Sequence, residues 1–253
     1  MREASPDAAE RSSRRGSRRD GMIVIPAYNE ETRIAGVLRQ IADADLGVDV
    51  VVVDDGSADR TAAVATASGA RVVRHPTNLG YGSALQTGYK YALRNGYRLL
   101  VQMDADGQHL ATEVAKLIGP VAAGEADLVL GSRFLEPGSY VMEPLKKVGS
   151  DFFRWLAAMS GLRITDPTSG FQAMNERVMR LYATNFYPVD FPDVDVLLTA
   201  HRSGLRVAEQ PVRMLEGERA SSLHSGWKPL YYVYRTLLAI WVASGVRPGT
   251  PSA

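Results

Sequence analysis

The sequence predicts an α/β fold in which a mostly parallel central sheet is flanked by helices. Two observations support this prediction. Short, continuous apolar runs alternate with helical segments through the first half of the chain, and clusters of polar residues fall directly after those runs. A strand that is apolar along its whole length is typical of a sheet buried on both faces, and alternation with helices favours parallel pairing.

The predicted elements follow one another at short intervals. The first strand, Met22–Pro26, precedes a helix at Glu30–Ala44 that carries large apolar residues at helical spacing. The second strand, Val48–Val53, contains five valines in six residues. The further elements are a helix at Ala58–Ser68, a strand at Arg71–Arg74, a helix at Tyr81–Asn95, a strand at Leu99–Met103, a helix at Thr112–Ala123, a strand at Asp127–Leu130, and helices at Gly149–Ser160 and Val196–Ala200.

Polar clusters follow four of these strands. In an open parallel sheet, ligands bind outside the carboxyl ends of the strands, so four clusters at corresponding ends predict one shared crevice. The clusters are Pro26-Ala27-Tyr28-Asn29-Glu30, Asp54-Asp55-Gly56-Ser57, Asp104-Ala105-Asp106 and Gly131-Ser132-Arg133.

The pair Asp104 and Asp106 is the most informative of these features. Residues i and i+2 of an extended backbone point to the same side, so we expect both carboxylates to aim at one point. Hard divalent cations such as Mg2+ or Mn2+ take oxygen ligands and share them with substrate phosphates. The pair therefore indicates a site for a metal-bound nucleotide diphosphate. For an isolated Asp-x-Asp, the alternative is a solvated acidic loop.

The composition excludes several classes of protein. The 253 residues contain no cysteine, which excludes disulfides and thiolate chemistry and fits a cytosolic location. A formal net charge of +1 gives no reason to expect nucleic acid as a partner. No Gly-x-Gly-x-x-Gly follows the first strand, there is no P-loop, and the four histidines lack zinc spacing.

Four segments are predicted along the chain. Residues 1–20 form a basic, arginine-rich tail that is too polar to order itself, and residues 246–253 form a second disordered tail. Residues 21–226 form the main domain. Residues 227–245 contain an aromatic, apolar helix that is shorter than the ~20 residues needed to span a bilayer. We expect this helix to lie in the membrane interface. Packing on the domain core or in a homo-oligomer interface is the alternative.

The order of these motifs resembles the family 2 glycosyltransferases of GT-A fold, and in particular the polyprenyl-phosphate (dolichol-phosphate) mannosyl- and glucosyltransferases. The matching segments span about residues 22–225. They are Ile25-Pro26-Ala27-Tyr28-Asn29-Glu30, Val53-Asp54-Asp55-Gly56-Ser57-Ala58-Asp59-Arg60-Thr61, Asn78-Leu79-Gly80, Asp104-Ala105-Asp106-Gly107-Gln108-His109, Gly131-Ser132-Arg133 and Asp166-Pro167-Thr168-Ser169-Gly170-Phe171.

The resemblance implies a role for each matching position. Asp106, helped by Gln108, would hold Mg2+ or Mn2+. The residues implied in binding the donor nucleotide are Pro26, Ala27, Tyr28, Glu30, Val53, Asp54, Asp55, Asp104 and Ala105.

The acceptor side is implied by fewer residues. Arg133, Arg219 and Ser169 would meet the acceptor phosphate or the metal-bound phosphates, and a guanidinium fork suits phosphate well. Asp193 occupies the place of an acid near the acceptor, where it is either a base or a helix cap. The sequence departs from the family pattern at Gln172, where several relatives carry arginine, and around Arg219, the only cation of the segment 216–223.

The resemblance therefore implies a metal-dependent, inverting transfer of a hexose from GDP-mannose or UDP-glucose to a polyprenyl phosphate. Such an enzyme would lie on the cytoplasmic face of the membrane, bound to its surface. Two alternatives stay open at this point. One is a family 2 enzyme acting on a polysaccharide or glycolipid hydroxyl, and the other is a catalytically idle binding module.

Overall fold

The fold is built around one seven-stranded sheet. The computed structural model describes residues 20–135, 144–189, 192 and 194–215, and for 144–149 it describes the backbone alone. The strand order is β3-β2-β1-β4-β6-β5-β7. The strands are β1 (Gly21–Ala27), β2 (Asp49–Asp54), β3 (Arg71–Arg74), β4 (Leu99–Gln102), β5 (Leu128–Ser132), β6 (Gln172–Asn175) and β7 (Val207–Pro211).

Seven α-helices connect or cover these strands in the described part of the chain. They are α1 (Ile34–Asp43), α2 (Thr61–Ala67), α3 (Tyr81–Arg94), α4 (Val114–Ala122), α5 (Pro144–Met159), α6 (Glu176–Tyr182) and α7 (Val194–Arg202). A 3-10 turn at Ala111–Glu113 leads into α4. No helix in the described ranges is both long enough and apolar enough to cross a bilayer.

The predicted α/β class and the mostly parallel sheet are confirmed. β1 pairs in parallel with both β2 and β4, and β2–β3 and β5–β7 are also parallel. β6 alone runs the other way, between β4 and β5. Strands β1, β2, β4 and β5 consequently point in one direction, so their carboxyl ends lie at the same edge, as the sequence predicted.

Several element boundaries differ from the prediction. The first helix begins at Ile34 rather than Glu30, and the residues before it form a turn in which the backbone N of Arg33 donates to the carbonyl of Glu30 at 3.0 Å. The second begins at Thr61 rather than at residue 58, and α5 begins at Pro144 rather than Gly149. Strand β6, helix α6 and strand β7 were not predicted at all.

Apolar residues pack against both faces of the sheet, which explains the continuous apolar strands. Val24, Val51 and Leu100 face the layer formed mainly by α3, α6 and α7. Ile25, Val52 and Val101 face the layer that contains α1 and α4. Burial on both sides removes the side chains of both faces from water, which stabilises the sheet.

Helix α3 lies unusually close to the sheet. A Cβ atom added at Gly88 would come within 2.2 Å of a methyl carbon of Val24 in β1. At Gly82, in the first turn of α3, an added Cβ would lie 2.0 Å from the carbonyl oxygen of Pro188. The two glycines therefore allow α3 to pack directly on β1 and on the 184–189 segment.

A buried carboxylate ties three strands together at the edge opposite the polar clusters. Asp127, just before β5, accepts hydrogen bonds from Asn175 Nδ2 (2.8 Å) and from the backbone N of Arg206 (2.8 Å). It also pairs with Arg177 Nη1 at 3.1 Å. Burial disfavours the charged form, but these donors and cations outweigh it and hold the pKa of Asp127 at about 2.

We therefore predict an acid-dependent loss of stability from Asp127. Because its pKa in the fold is lower than its ordinary value, its contribution is complete above pH 4 and is lost as the pH falls toward 2. The difference of nearly two units corresponds to about 2 kcal/mol. Asp127→Asn should lower the free energy of unfolding at pH 7 and flatten its dependence on pH between 4 and 2, measured by denaturation followed by circular dichroism.

The exposed Glu125 provides a matched control for this experiment. Glu125→Gln removes a carboxylate two residues away without touching the strand contacts, and it should leave the acid limb as in the unchanged protein. Parallel acid limbs for Asp127→Asn and the unchanged protein would contradict the assignment.

Candidate active site

The carboxyl edge of β1 and β2 is held together by reciprocal hydrogen bonds between two loops. The backbone N of Asn29 donates to Ser57 Oγ (3.0 Å), and the backbone N of Ala58 donates to Asn29 Oδ1 (2.9 Å). The backbone N of Glu30 donates to Thr61 Oγ1 (2.8 Å). Asn29 adopts a left-handed conformation with φ of 55°, which asparagine tolerates better than most residues. The two loops thus form one rigid wall.

Asp54 and Asp55 are buried inside this wall. Asp54 Oδ2 lies 2.9 Å from Nε of Arg74. The Asp55 carboxylate accepts from the backbone N atoms of Leu79 and Gly80, both at 2.9 Å, and lies 2.7 Å from His75 Nδ1. Both residues were predicted to contact the donor nucleotide. In the structure both carboxylates are bound by the protein itself, and that of Asp55 positions the loop that precedes α3.

The other residues predicted to contact the donor differ in their exposure. Pro26, Ala27 and Val53 are buried within or at the end of their strands, whereas Tyr28 is 48% exposed and Glu30 is partly exposed. Tyr28 and Glu30 are therefore the members of this set with side-chain surface available to a ligand. Glu30 is also oriented by Arg33, whose Nη1 lies 2.9 Å from its Oε2.

Gly56 is required at the turn after β2. Its φ is +71°, and an added Cβ would lie only 2.4 Å from the carbonyl carbon of Thr77. A side chain here would push the 77–80 loop away from the wall, so the glycine allows the two backbones to meet.

Asp104 follows β4 and is held by two neighbouring side chains. Tyr81 Oη donates to Asp104 Oδ1 at 2.7 Å, and the backbone N of Asp104 donates to His109 Nδ1 at 3.0 Å. His109 is buried and stacks on Phe171, with ring centroids 4.6 Å apart. Gly170 packs against the same carboxylate, since an added Cβ there would lie 3.1 Å from Asp104 Oδ2.

Asp106 lies in a turn rather than in the strand. β4 ends at Gln102, so the geometric reason given for the acid pair, an extended backbone through both residues, is wrong. The carboxylates nevertheless lie near each other. Burial and then the negative charge of Asp104 raise the pKa of Asp106 above its ordinary value. Ala105, between them, is buried and anchors the turn in the core.

Gln108 is the direct partner of Asp106. Its backbone N donates to Asp106 Oδ1 at 2.9 Å and its side-chain Nε2 donates to Oδ2 at 2.7 Å. The donor set of this turn consists of carboxylate and amide oxygens, which suits Mg2+ or Mn2+. A divalent cation would also relieve the repulsion between the two carboxylates.

The turn does not form a complete metal cage by itself. Within the described residues, no group of three or more His, Asp or Glu side chains is arranged to hold a metal ion. Mg2+ commonly keeps water and substrate phosphates among its ligands, so a site of one or two carboxylates is an ordinary arrangement for a metal that arrives with a nucleotide.

Arg133, after β5, is held in a bidentate ion pair. Its Nε donates to Asp166 Oδ2 (2.7 Å) and its Nη2 to Asp166 Oδ1 (2.8 Å). Asp166 is fully buried, and its backbone N is bound in turn by Glu209 Oε1 at 2.9 Å. Glu209 also accepts from the backbone N of Thr165 at 2.7 Å. The guanidinium is therefore fixed in orientation at the carboxyl edge of β5.

The loop 166–171 connects the arginine to the acidic turn. It begins at Asp166, the partner of Arg133, and it places Gly170 against Asp104. Ser169 lies between them, but its hydroxyl is buried and donates to the carbonyl of Gly131 at 2.6 Å. Ser169 was predicted to bind phosphate, and its side chain instead fixes this loop on β5. Arg219 and Asp193 lie outside the described residues.

Three contributors to the site were missed by the sequence analysis. Tyr81 and His109 orient Asp104, and Asp166 orients Arg133. The position of Asp166 in a family-like motif was the only sequence signal for it. Tyr81 is the first residue of a predicted helix, and nothing in its sequence neighbourhood indicates an approach to Asp104.

Comparison with known proteins agrees with this geometry. Residues 22–180 match the model of the family described as glycosyl transferase family 2. The polyprenol monophosphomannose synthase of Mycolicibacterium smegmatis is 35% identical over 219 residues, covering 81% of both chains. The undecaprenyl-phosphate mannosyltransferase of Micrococcus luteus is 34% identical, covering 81% of this chain and 87% of the relative.

Solved structures share the architecture at lower sequence identity. Glucosyl-3-phosphoglycerate synthase from Mycobacterium tuberculosis, in complex with phosphoglyceric acid, superposes with a TM-score of 0.67 at 21% identity, covering 94% of this chain and 85% of the other. The same enzyme with Mn2+ and UDP-glucose gives a TM-score of 0.66 at 23% identity, covering 99% and 86%. The GT-A fold is thereby confirmed. With its four polar clusters at one edge and its match over residues 22–180, the chain belongs to the family 2 glycosyltransferases.

Proposed function

We propose that this glycosyltransferase moves a hexose from a nucleotide sugar to a polyprenyl phosphate, with inversion and with Mg2+ or Mn2+ as cofactor. The observation that carries the proposal is the 166–171 loop, which brings the fixed cation Arg133 to the same edge as the acidic turn. A metal-binding turn beside a fixed guanidinium suits a reaction in which both the leaving group and the acceptor are phosphates. The names of the Mycolicibacterium smegmatis and Micrococcus luteus relatives support this acceptor class.

The acidic turn is the proposed diphosphate site. Asp106 and Gln108 would hold the metal ion, and Asp104, oriented by Tyr81 and His109, would face the ribose and the diphosphate. The bound metal would act as a Lewis acid that stabilises negative charge on the departing diphosphate. The backbone N and side-chain Nε2 of Gln108 bind the two oxygens of Asp106 and so hold the carboxylate in place, while the side-chain oxygen of Gln108 is a second candidate ligand.

Arg133 is the proposed phosphate-binding cation on the acceptor side. A phosphate acceptor is already anionic at neutral pH, so the transfer needs charge stabilisation more than a strong base. The ion pair with buried Asp166 holds the guanidinium still, which lowers the entropic cost of engaging an anion. If the acceptor were instead a sugar hydroxyl, Asp193 would be the proposed base.

The donor sugar is a separate question. The curated relatives named above are mannosyltransferases, which supports GDP-mannose, whereas the Mycobacterium tuberculosis synthase was determined with UDP-glucose and Mn2+. A panel of nucleotide sugars assayed with polyprenyl phosphate and Mn2+ distinguishes these donors.

The lipid acceptor further suggests that the protein lies on the cytoplasmic face of the membrane. The aromatic segment 230–244 is the proposed contact, and it lies outside the described residues. Within the described part, Trp155 and Met159 of α5 are 56% and 68% exposed. Exposed aromatic and thioether side chains on one helix are compatible with insertion at head-group level.

Asp106→Asn should abolish transfer and weaken Mn2+-dependent nucleotide binding, because it removes the charge that would hold the metal. Calorimetric titration of the nucleotide with and without Mn2+ measures the binding, and thermal unfolding confirms that the variant is folded. Asp43 is exposed, so Asp43→Asn is the control, and its activity and nucleotide binding should equal those of the unchanged protein. Full activity of Asp106→Asn, or of the unchanged protein in EDTA, would disprove the metal assignment.

Arg133→Lys should raise the acceptor KM or lower kcat by about 10–100-fold, because lysine keeps the charge but loses the bidentate fork. Arg133→Ala is a poorer test, since it leaves the buried Asp166 unpaired and costs about 3–5 kcal/mol of stability. Arg177→Lys changes an arginine paired with buried Asp127 at the opposite edge, and its kinetics should not change. Wild-type acceptor kinetics in Arg133→Lys would assign Arg133 to structure alone.

Replacing Tyr231, Tyr232, Tyr234 and Trp241 together by serine should reduce the binding of the full-length chain to anionic liposomes. Each aromatic side chain buried in the interface contributes about 1.5–3 kcal/mol, so the loss should be readily measured by flotation. A second variant with Trp155→Ser and Met159→Ser tests α5. Flotation equal to that of the unchanged protein in both variants would refute these contacts.

A further inference from the structure

A chain of hydrogen bonds runs through the interior of the protein and ends on Asp104. The hydroxyl groups of Tyr187 and Tyr89 are 3.1 Å apart, and Tyr89 Oη donates to Gln102 Oε1 at 2.8 Å. Gln102 Nε2 donates to Tyr81 Oη at 3.1 Å, and Tyr81 Oη donates to Asp104 Oδ1 at 2.7 Å. The chain thus connects the 184–189 segment, through α3 and β4, to the acidic turn.

The direction of donation in this chain is fixed at its end. A carboxylate only accepts, so the Tyr81 proton is directed to Asp104. Tyr81 must then accept from Gln102, which places the amide nitrogen of Gln102 toward Tyr81 and its oxygen toward Tyr89. Tyr89 donates to that oxygen and accepts from Tyr187. Every donor therefore points toward Asp104, and bonds aligned in one direction strengthen one another.

Packing alone does not account for these polar groups. Tyr89, Gln102 and Tyr187 are nearly or completely buried, and the Tyr89 and Tyr187 rings pack edge to face with centroids 5.5 Å apart. Phenylalanine would fill the same aromatic cluster, and a buried hydroxyl or amide destabilises the fold unless it is hydrogen-bonded. What the hydroxyls and the amide add is a fixed donor at Asp104 Oδ1.

The backbone around Tyr81 is fixed as well. The preceding backbone N atoms of Leu79 and Gly80 are bound by Asp55, and the backbone N of Ser83 donates to the carbonyl of Val189 at 3.1 Å. Gly82 allows this close contact, as described above. Tyr81 is therefore held on both sides, and its hydroxyl cannot follow Asp104 if the carboxylate rotates away.

We propose that Tyr81 and Gln102 are positioning residues that hold the Asp104 carboxylate in the orientation needed for the metal-bound nucleotide. Oδ1 is bound by Tyr81, and Oδ2 lies next to Gly170 and 3.7 Å from His109 Nε2; Oδ2 is the oxygen that we assign to the ligand. Loss of the Tyr81 hydroxyl leaves the Asp104 side chain free to rotate. The metal-bound diphosphate then binds to a carboxylate that has no fixed orientation. This inference rests on the proposed metal-nucleotide site but not on the identity of the acceptor.

The test is a titration of Mn2+ into the full-length protein in the presence of saturating UDP or GDP, whichever the unchanged protein binds. The electron paramagnetic resonance signal of free Mn2+ measures the binding. Tyr81→Phe should weaken Mn2+ binding by about 10-fold or more, because the Asp104 carboxylate then no longer orients the diphosphate that shares the metal ion with Asp106. Tyr89→Phe should weaken it in the same direction but less, because Gln102 still contacts Tyr81. In transfer assays, the kcat of Tyr81→Phe should fall while its acceptor KM stays constant.

Tyr97→Phe is the matched control. Tyr97 also donates to a carboxylate, Asp49 Oδ2, at 2.7 Å, but at the start of β2, away from the site; it is 2% exposed, whereas Tyr81 is 37% exposed. The Mn2+ affinity of Tyr97→Phe should be unchanged, and its melting temperature should fall at least as much as that of Tyr81→Phe, because Tyr97 is the more deeply buried of the two. Mn2+ affinity of Tyr81→Phe within twofold of the unchanged protein, or an equal loss in Tyr97→Phe, would overturn the proposal.

The titration contains no acceptor, so its outcome is separate from that of the transfer assay. Weakened Mn2+ binding in Tyr81→Phe, together with no transfer to polyprenyl phosphate by the unchanged protein, would support the positioning role and refute the acceptor. Absence of Mn2+ binding by the unchanged protein would overturn the positioning role and the proposed metal site, whatever the acceptor.

Discussion

The buried carboxylate of Asp55 is the interaction on which the geometry of the site depends. It accepts hydrogen bonds from two successive backbone amides, Leu79 and Gly80, and so determines where α3 begins. His75 holds the same carboxylate and is bound on its other side by Thr87 of α3, with Nε2 and Oγ1 2.9 Å apart. The end of β2 and the start of α3 are thereby joined through one side chain. Without it, Tyr81 would be held only from the C-terminal side, by the contact of Ser83 with Val189.

The sheet topology explains how donor and acceptor sides meet. β1, β2 and β4 carry the loops proposed for the nucleotide, and β5 carries Arg133. The antiparallel strand β6 lies between β4 and β5, so the loop that enters it must start at the carboxyl edge. That loop contains Asp166 and Gly170, and it contacts both halves of the site. A wholly parallel sheet would place the amino end of β6 at the opposite edge and leave the two halves unconnected.

Much of this arrangement was predictable from the sequence, for identifiable reasons. Strands β1, β2, β4 and β5 are mostly apolar, because they are buried on both faces, and this produces a strong pattern. β6 and β7 contain Gln172, Asn175 and Glu209, whose polar groups are used in specific contacts, so no pattern marked them as strands. The convergence of the polar clusters was predicted correctly from topology. The individual hydrogen-bond partners of the carboxylates could not be predicted from the sequence. A hydrogen bond between Tyr81 and Asp104, for example, depends on where the helix lies to within an ångström.

The Asp127 cluster lies at the edge of the sheet away from all of this chemistry. It joins the beginnings of β5 and β7 to the end of β6 through a carboxylate bound on both oxygens. The strands that carry the acceptor side are therefore secured at the edge opposite the site, in addition to the contacts that Ser169 and Glu209 make at the other edge. Substitutions in the loops of the site that leave these contacts intact can accumulate without unfolding the sheet. This separation provides a physical route by which one scaffold can diversify its acceptors during evolution while retaining its nucleotide site.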